Sequence, residues 1–163
     1  MSLVVAKVLA TSCIPVTAFF DSKQVFFAEL WKRTEHLAAC LPSNFVQVNL
    51  SYSRPFVVRG RVFDVAVDIR RGSPHFGRWV AAELGPGEAL WIPPGFAHGF
   101  QALEETHFLY LVTKEYYPQR DKCIRRDDTT IAVKWPAPDK AILSQKDRNC
   151  PPLEEAENNF EYL

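Results

Sequence analysis

The chain carries little that would take it to nucleic acid or into a membrane. Lysine and arginine number 19, aspartate and glutamate also 19, so the formal net charge is zero. No basic tract stands out, which argues against a nucleic-acid partner. No apolar run is long enough for a membrane span, and the first residues do not read as a secretory leader. The four cysteines (Cys13, Cys40, Cys123, Cys150) are scattered, with no Cys-x-x-Cys. That usage predicts a cytoplasmic protein with four reduced thiols rather than a disulfide framework.

Several catalytic signatures are missing too. There is no Gly-x-Ser-x-Gly elbow for a nucleophilic serine and no glycine-rich phosphate loop. The four histidines, His36, His75, His98 and His107, form no His-x-His pair. A metal barrel needs several imidazoles or carboxylates converging on one point, so neither a metal nor another cofactor is expected.

What remains is apolar and aromatic. Hydrophobic residues make up 47% of the 163 and aromatics 13%, enough for one domain with a substantial core. WKRTEHLAACL has helical spacing, with Trp31, Leu37, Ala38 and Leu41 able to share a face, and Pro42 stops it. FVQVNLSYS alternates, with Phe45, Gln47, Asn49 and Ser51 on one face. In RVFDVAVDI, Asp64 shares a face with Val62, Ala66 and Asp68, opposite Phe63, Val65, Val67 and Ile69. WVAAEL, EALWI, GFQAL and HFLYLVT read as further strands, and RRGSPHFG as a turn. Many short strands with Gly and Pro turns predict an all-β sandwich or barrel with one or two short helices. Residues 1–163 read as a single domain: strands and a helix to about 42, a barrel over about 43–135, and a C-terminal segment over about 136–163. The acidic tail, PPLEEAENNFEYL, is expected to form a short helix or to fray.

General acid–base chemistry is the credible option. His98 follows the rigid turn WIPPG, and Tyr110 lies in HFLYL. Antiparallel pairing of GFQAL with HFLYL would bring these two residues near each other. Lys146 and Asp147 sit in SQKDR. A histidine and a tyrosine facing one cavity, with a lysine and a carboxylate at its mouth, can move protons beside a carbonyl and steady the enolate. Spacing alone leaves structural roles equally open: a core tyrosine, a capped turn histidine, a solvated Lys–Asp pair.

LWIPPGFAHGF, FLYL, EYYPQRDKCIRRDD, KWP and SQKDRNCPPL, in that order, resemble the dTDP-4-dehydrorhamnose 3,5-epimerase family, as do FVQVNLSYS and VFDVAVDIRRGSPHFGRWV upstream. The resemblance runs from about Phe19 to Leu153. It implies a cupin-type jelly-roll β-barrel, a homodimer, no metal, and a nucleotide-linked 4-keto-6-deoxy sugar as substrate. It also implies a histidine base backed by an aspartate, and a tyrosine that returns a proton to the opposite face. By position, Tyr110 matches the proton-donating tyrosine and Asp147 the aspartate that orients the base. His98, Lys146 and Tyr116 match pocket residues, and Gln47 and Asn49 a polar pair in the FVQxN strand. Lys23 stands where the family has the arginine of DxRGxFxE.

The chain departs from this pattern at one decisive place. Between the FVQxN strand and VFDVAVD the family has a segment reading roughly GVLRGLHYQ, whose histidine is the base. Here SYSR runs straight into PFVVRGRVFDV. Three explanations compete: residues omitted from this sequence, a shortened and catalytically impaired paralogue that binds a sugar nucleotide or serves as a dimeric partner, or a replacement base. Loss of a hairpin would expose core and sheet edges, which favours omission. His98 ranks last as a replacement, because it would need an orienting carboxylate of its own.

Overall fold

The computed structural model describes residues 6–9, 33–38, 40, 42–53, 60–85 and 88–163. Seven strands and two short helices follow one another as β1 (Ala6–Leu9), α1 (Arg33–Ala38), β2 (Gln47–Ser53), β3 (Val62–Asp68), β4 (Trp79–Leu84), β5 (Glu88–Trp91), β6 (Phe96–Ala102), β7 (Thr106–Val112) and α2 (Gln145–Arg148). All pairing between these strands is antiparallel. β1 pairs with β5, β2 with β7, and β3 is the centre of a three-stranded sheet, β4-β3-β6. IPVTAFF, VFFAEL and Lys23 lie outside the described residues.

β3 organises the molecule because both of its faces are buried. Phe63, Val65, Val67 and Ile69 meet Ile131 and Leu153, with Trp79, Ala81, Ala97, Ile124, Val133 and Trp135 packed around them. This outer face of the sheet is therefore roofed by the irregular C-terminal segment. The inner face carries Val62, Asp64, Ala66 and Asp68, opposite Phe96, His98, Phe100 and Ala102 of β6 in the strand register. Period-two alternation explains the split, and a centre strand covered on both sides reads as a nearly continuous apolar run.

Two aspartates interrupt that run, and each is buried with a partner: Asp64 with one, Asp68 with several. Asp68 takes Arg70 Nε at 2.9 Å, Arg70 Nη2 at 2.6 Å and the Ser73 hydroxyl at 2.7 Å. Burial is the largest influence on this carboxyl and works to raise its pKa. The Arg70 and Ser73 hydrogen bonds together outweigh it and hold the group below the ordinary carboxylate range. Arg70 in turn lies between the rings of Phe96 and Tyr162. The acidic tail is neither helical nor frayed. Arg71 N donates to Phe160 O at 2.9 Å and Tyr162 N to Arg71 O at 2.9 Å, so the tail docks beside the turn after β3.

The C-terminal segment is fastened at discrete points. Buried Asp128 accepts from Thr130 N, Ile131 N and, across the segment, Leu153 N at 2.8–2.9 Å. Gln101 of β6 clamps Ala137 from both sides, donating to its carbonyl at 2.5 Å and accepting from its N–H at 3.2 Å. Cys123 and Cys150 form a disulfide, and Cys40 is free. The expected four thiols are therefore corrected. The two cysteines are 27 residues apart in sequence, and only the fold of this segment brings them together.

β2 turns its faces the unusual way round. Gln47, Asn49 and Ser51 are half-buried on the side facing the inner space, whereas Val46, Val48 and Leu50 are 56%, 58% and 64% exposed. The helix expected over 31–41 is confined to α1, with Leu37 and Ala38 exposed rather than packed as an apolar face. His36 is half-buried, edge-on to Phe45 at 5.6 Å between ring centroids.

Candidate active site

The inner face of β6 and the facing side of β7 put four rings together. Phe100 and Phe108 are 4.6 Å apart between centroids, His98 and Phe108 6.2 Å, and His98 and Tyr110 6.4 Å at an interplanar angle of 68°. The expected nearness of His98 and Tyr110 holds, but by a different route. β6 and β7 are not hydrogen-bonded to each other. They belong to separate sheets joined by the turn at 103–105, so the two side chains approach from two walls of one space.

His98 does have a carboxylate. Its Nε2 lies 2.6 Å from Asp64 Oδ1 on the neighbouring strand β3. Asp64 pairs with Phe100 and His98 with Ala66 in the register, so the contact runs diagonally across the ladder. The Asp64 side chain is 3% exposed and that of His98 32% exposed, which leaves the imidazole open on its other edge. With Nε2 on the carboxylate, Nδ1 has no hydrogen-bond partner among the described residues, nor has the Tyr110 hydroxyl. The requirement that ranked His98 last is thus met by a residue already inside the sheet.

The remaining candidates form a connected line beside these rings. Asn49 faces Tyr110 across the β2–β7 ladder. Gln47 Nε2 donates to Asn49 Oδ1 at 2.6 Å, and Gln47 Oε1 accepts from Tyr116 N at 2.8 Å. The Tyr116 hydroxyl donates to Asp121 Oδ2 at 3.2 Å, and Lys146 Nζ is ion-paired to the same oxygen. Tyr116 is 60% exposed, so its ring offers a free face. Asp147 stands apart from the histidine. Its carboxylate accepts from Ser144 Oγ at 2.6 Å while Ser144 Oγ accepts from Asp147 N at 3.1 Å, a reciprocal cap at the start of α2. The carboxylate that meets His98 is Asp64.

Asp64 and Asp121 escaped sequence reasoning for different reasons. Asp64 had a visible signal: a charged residue at an inward position of an otherwise Val/Ala strand needs a partner. Asp121 sits in an irregular segment where no period marks it. Among the described residues no cluster of His, Cys, Asp and Glu could hold a metal ion, and no helix is long and apolar enough to cross a membrane.

The family described as dTDP-4-dehydrorhamnose 3,5-epimerase matches residues 55–155. The chain belongs to that family. The dTDP-4-dehydrorhamnose 3,5-epimerase of Pseudomonas aeruginosa is 40% identical over 151 positions, covering 80% of this chain and 83% of that protein. The one from Salmonella typhimurium is 38% identical over 160 positions, covering 85% and 87%. In both cases the aligned positions outnumber the residues that this 163-residue chain supplies, so part of each relative lies opposite a gap. The family's solved structures share the fold. A crystal structure of the Sulfolobus tokodaii dTDP-4-dehydrorhamnose 3,5-epimerase superposes with a TM-score of 0.68 at 40% identity, covering 86% of this chain and 88% of that one. The Legionella pneumophila dTDP-6-deoxy-D-glucose-3,5-epimerase, solved with dTDP-4-keto-L-rhamnose, gives 0.70 at 34%, covering 85% of each. The expected cupin-type jelly roll is the fold of this epimerase family and of this chain.

Proposed function

We propose that the chain is an isomerase that epimerises a nucleotide-linked 4-keto-6-deoxy sugar, by removing a proton beside the keto group and returning one to the opposite face. The observation that carries this reading is the meeting of His98 and Tyr110 from two sheets, with Gln47, Asn49, Tyr116 and Lys146 continuing the same surface. Family membership supports it independently.

The residues divide the work by chemistry. Tyr110, a phenol whose hydroxyl has no hydrogen-bond partner among the described residues, is the acid that returns the proton. His98 lines the sugar pocket. Tyr116 supplies an aromatic face for the base, and Lys146 a cation for the anionic linkage. Gln47 and Asn49 offer amide groups to sugar hydroxyls. Asp147 caps α2 and so fixes the backbone from which Lys146 projects. Lys23, which lies outside the described residues, is assigned to substrate binding by its sequence position alone.

A homodimer is part of the proposal. The exposed Val46, Val48 and Leu50 stripe on β2 is apolar surface that a second copy would cover. The nucleotide substrate points to the cytoplasm. The Cys123–Cys150 disulfide bears against that location, and cell fractionation decides it.

Incubation with dTDP-4-keto-6-deoxyglucose in heavy water tests the function. Epimerisation requires deuterium to enter at C3, at C5 or at both. Binding of the nucleotide sugar without any exchange would instead identify a catalytically impaired paralogue that has lost the GVLRGLHYQ segment.

A further inference from the structure

We propose that His98, oriented by Asp64, is the proton-abstracting base of this chain. The inference rests on the epimerase reading and adds to it the residue that takes the proton. The family's own base has no counterpart between Ser53 and Val62. His98 is the described histidine that combines three properties a base needs. One ring nitrogen is held by a buried carboxylate at 2.6 Å. The other nitrogen has no hydrogen-bond partner among the described residues. The ring also stands beside the acid that must complete the reaction, 6.4 Å from Tyr110 between centroids.

The geometry defines each role. Asp64 is a positioning residue. Its oxygen fixes the proton on Nε2, so that the lone pair of Nδ1 points to the open side, and it steadies the imidazolium once formed. Its own place is set by β3, whose both faces are packed. Phe100 and Phe108 stand beside the two reacting groups, with Phe100 stacked on the His98 ring at 6.1 Å and 4.6 Å from Phe108 between centroids. Trp135 backs β6 from the outer face, where a Cβ at Gly99, next to His98 in sequence, would meet it at 3.5 Å.

The proton ledger closes with these residues and solvent. The C–H bond beside the keto group breaks, and its proton goes to His98 Nδ1. The bonding pair becomes the enolate, with its charge on the keto oxygen. A new C–H bond forms with the proton of the Tyr110 hydroxyl, from the β7 wall. Solvent then protonates the phenolate and takes the proton from the imidazolium, so no other reactant is needed.

The test is deuterium wash-in with His98→Asn and Asp64→Asn, alongside dTDP binding by calorimetry and thermal melting as controls for fold. We expect His98→Asn to lower the exchange rate by about 100- to 10,000-fold, the range for loss of a general base, with dTDP affinity retained. Asp64→Asn should lower kcat with KM held. Free imidazole should restore part of the exchange to His98→Ala, an effect a structural role would not give. If His98→Asn does not fold, His98→Gln carries the test. Exchange within about fivefold of the parent, or a pure rise in KM, overturns the assignment and leaves the epimerase reading standing. A parent protein that exchanges nothing overturns both.

Discussion

Lys146 and Tyr116 meet on a single oxygen, Oδ2 of Asp121. The tyrosine donates its hydroxyl at 3.2 Å and the lysine completes an ion pair. The two side chains assigned to the nucleotide are thereby held before any ligand arrives. Asp121→Asn removes the charge that gathers them. Ordering a long side chain costs about 0.5–1.5 kcal/mol, so dTDP should bind about tenfold more weakly, with kcat little changed. Calorimetry reads the first and steady-state kinetics the second. Unchanged or tighter binding would show that Asp121 merely neutralises Lys146.

The disulfide pins the same region from its other side. Cys150 ends the turn that carries α2, and Cys123 follows Asp121 by two residues. A crosslink over a 27-residue separation contributes about 3.5 kcal/mol in the chain-entropy account. Dithiothreitol should lower the urea midpoint, and Cys123→Ser should match the reduced protein. An unchanged midpoint on reduction would mean that the bond adds nothing to folding in solution.

Asp128 and Asp68 set the response to acid. Burial is the largest influence on each and works to raise its pKa. Hydrogen bonds outweigh it, from the N–H groups of Leu153, Ile131 and Thr130 for Asp128 and from Arg70 and Ser73 for Asp68, so both carboxyls lie below the ordinary range. A folded pKa below the unfolded one adds stability that is complete above the unfolded value, about 3.9. It is lost as pH falls through the lower folded values. Melting temperatures should therefore hold from neutrality to about pH 5 and drop steeply below about pH 4. Asp128→Ala should cost about 2–4 kcal/mol at neutral pH, since it strands three N–H groups, two of them buried. It should also flatten the acid drop.

Gly95 is the backbone hinge of the WIPPG turn. Its φ is +92°, and a Cβ there would fall 2.5 Å from Arg70 Cγ. Gly95→Ala therefore carries both left-handed strain and a clash that pushes Arg70 off Asp68. A loss of about 2–4 kcal/mol is expected, measured by urea unfolding. A loss under about 0.5 kcal/mol would show that Arg70 repacks freely.

Most strands were legible because each is short, alternating and bounded by Gly or Pro. WVAAEL coincides with β4, RVFDVAVDI contains β3, and HFLYLVT covers β7 except for its first residue, Thr106. Sheet membership was not legible. GFQAL and HFLYL adjoin in sequence, yet the chain turns a corner between them, and the corner is set by packing in three dimensions rather than by composition. Period two also says which residues share a face but not which face turns inward. On β2 the amides take the inner side against the usual expectation, because Tyr110 and Tyr116 are there to meet them. The Asp64–His98 contact spans 34 residues. No local pattern encodes a diagonal between two strands.

The roof over β3 has no sheet hydrogen bonds of its own to the strands it covers. It is held to the sheet side by the Gln101 clamp and by the tail's bonds to Arg71, while Asp128 and the crosslink tie the panel to itself. Lys146 belongs to the same panel as Ile131 and Leu153. A panel hung this way opens as a unit. Loosening one fastener would unseat a nucleotide contact and wet the back of β3 in the same event, so affinity and hydrogen-exchange protection of that strand should rise and fall together across variants.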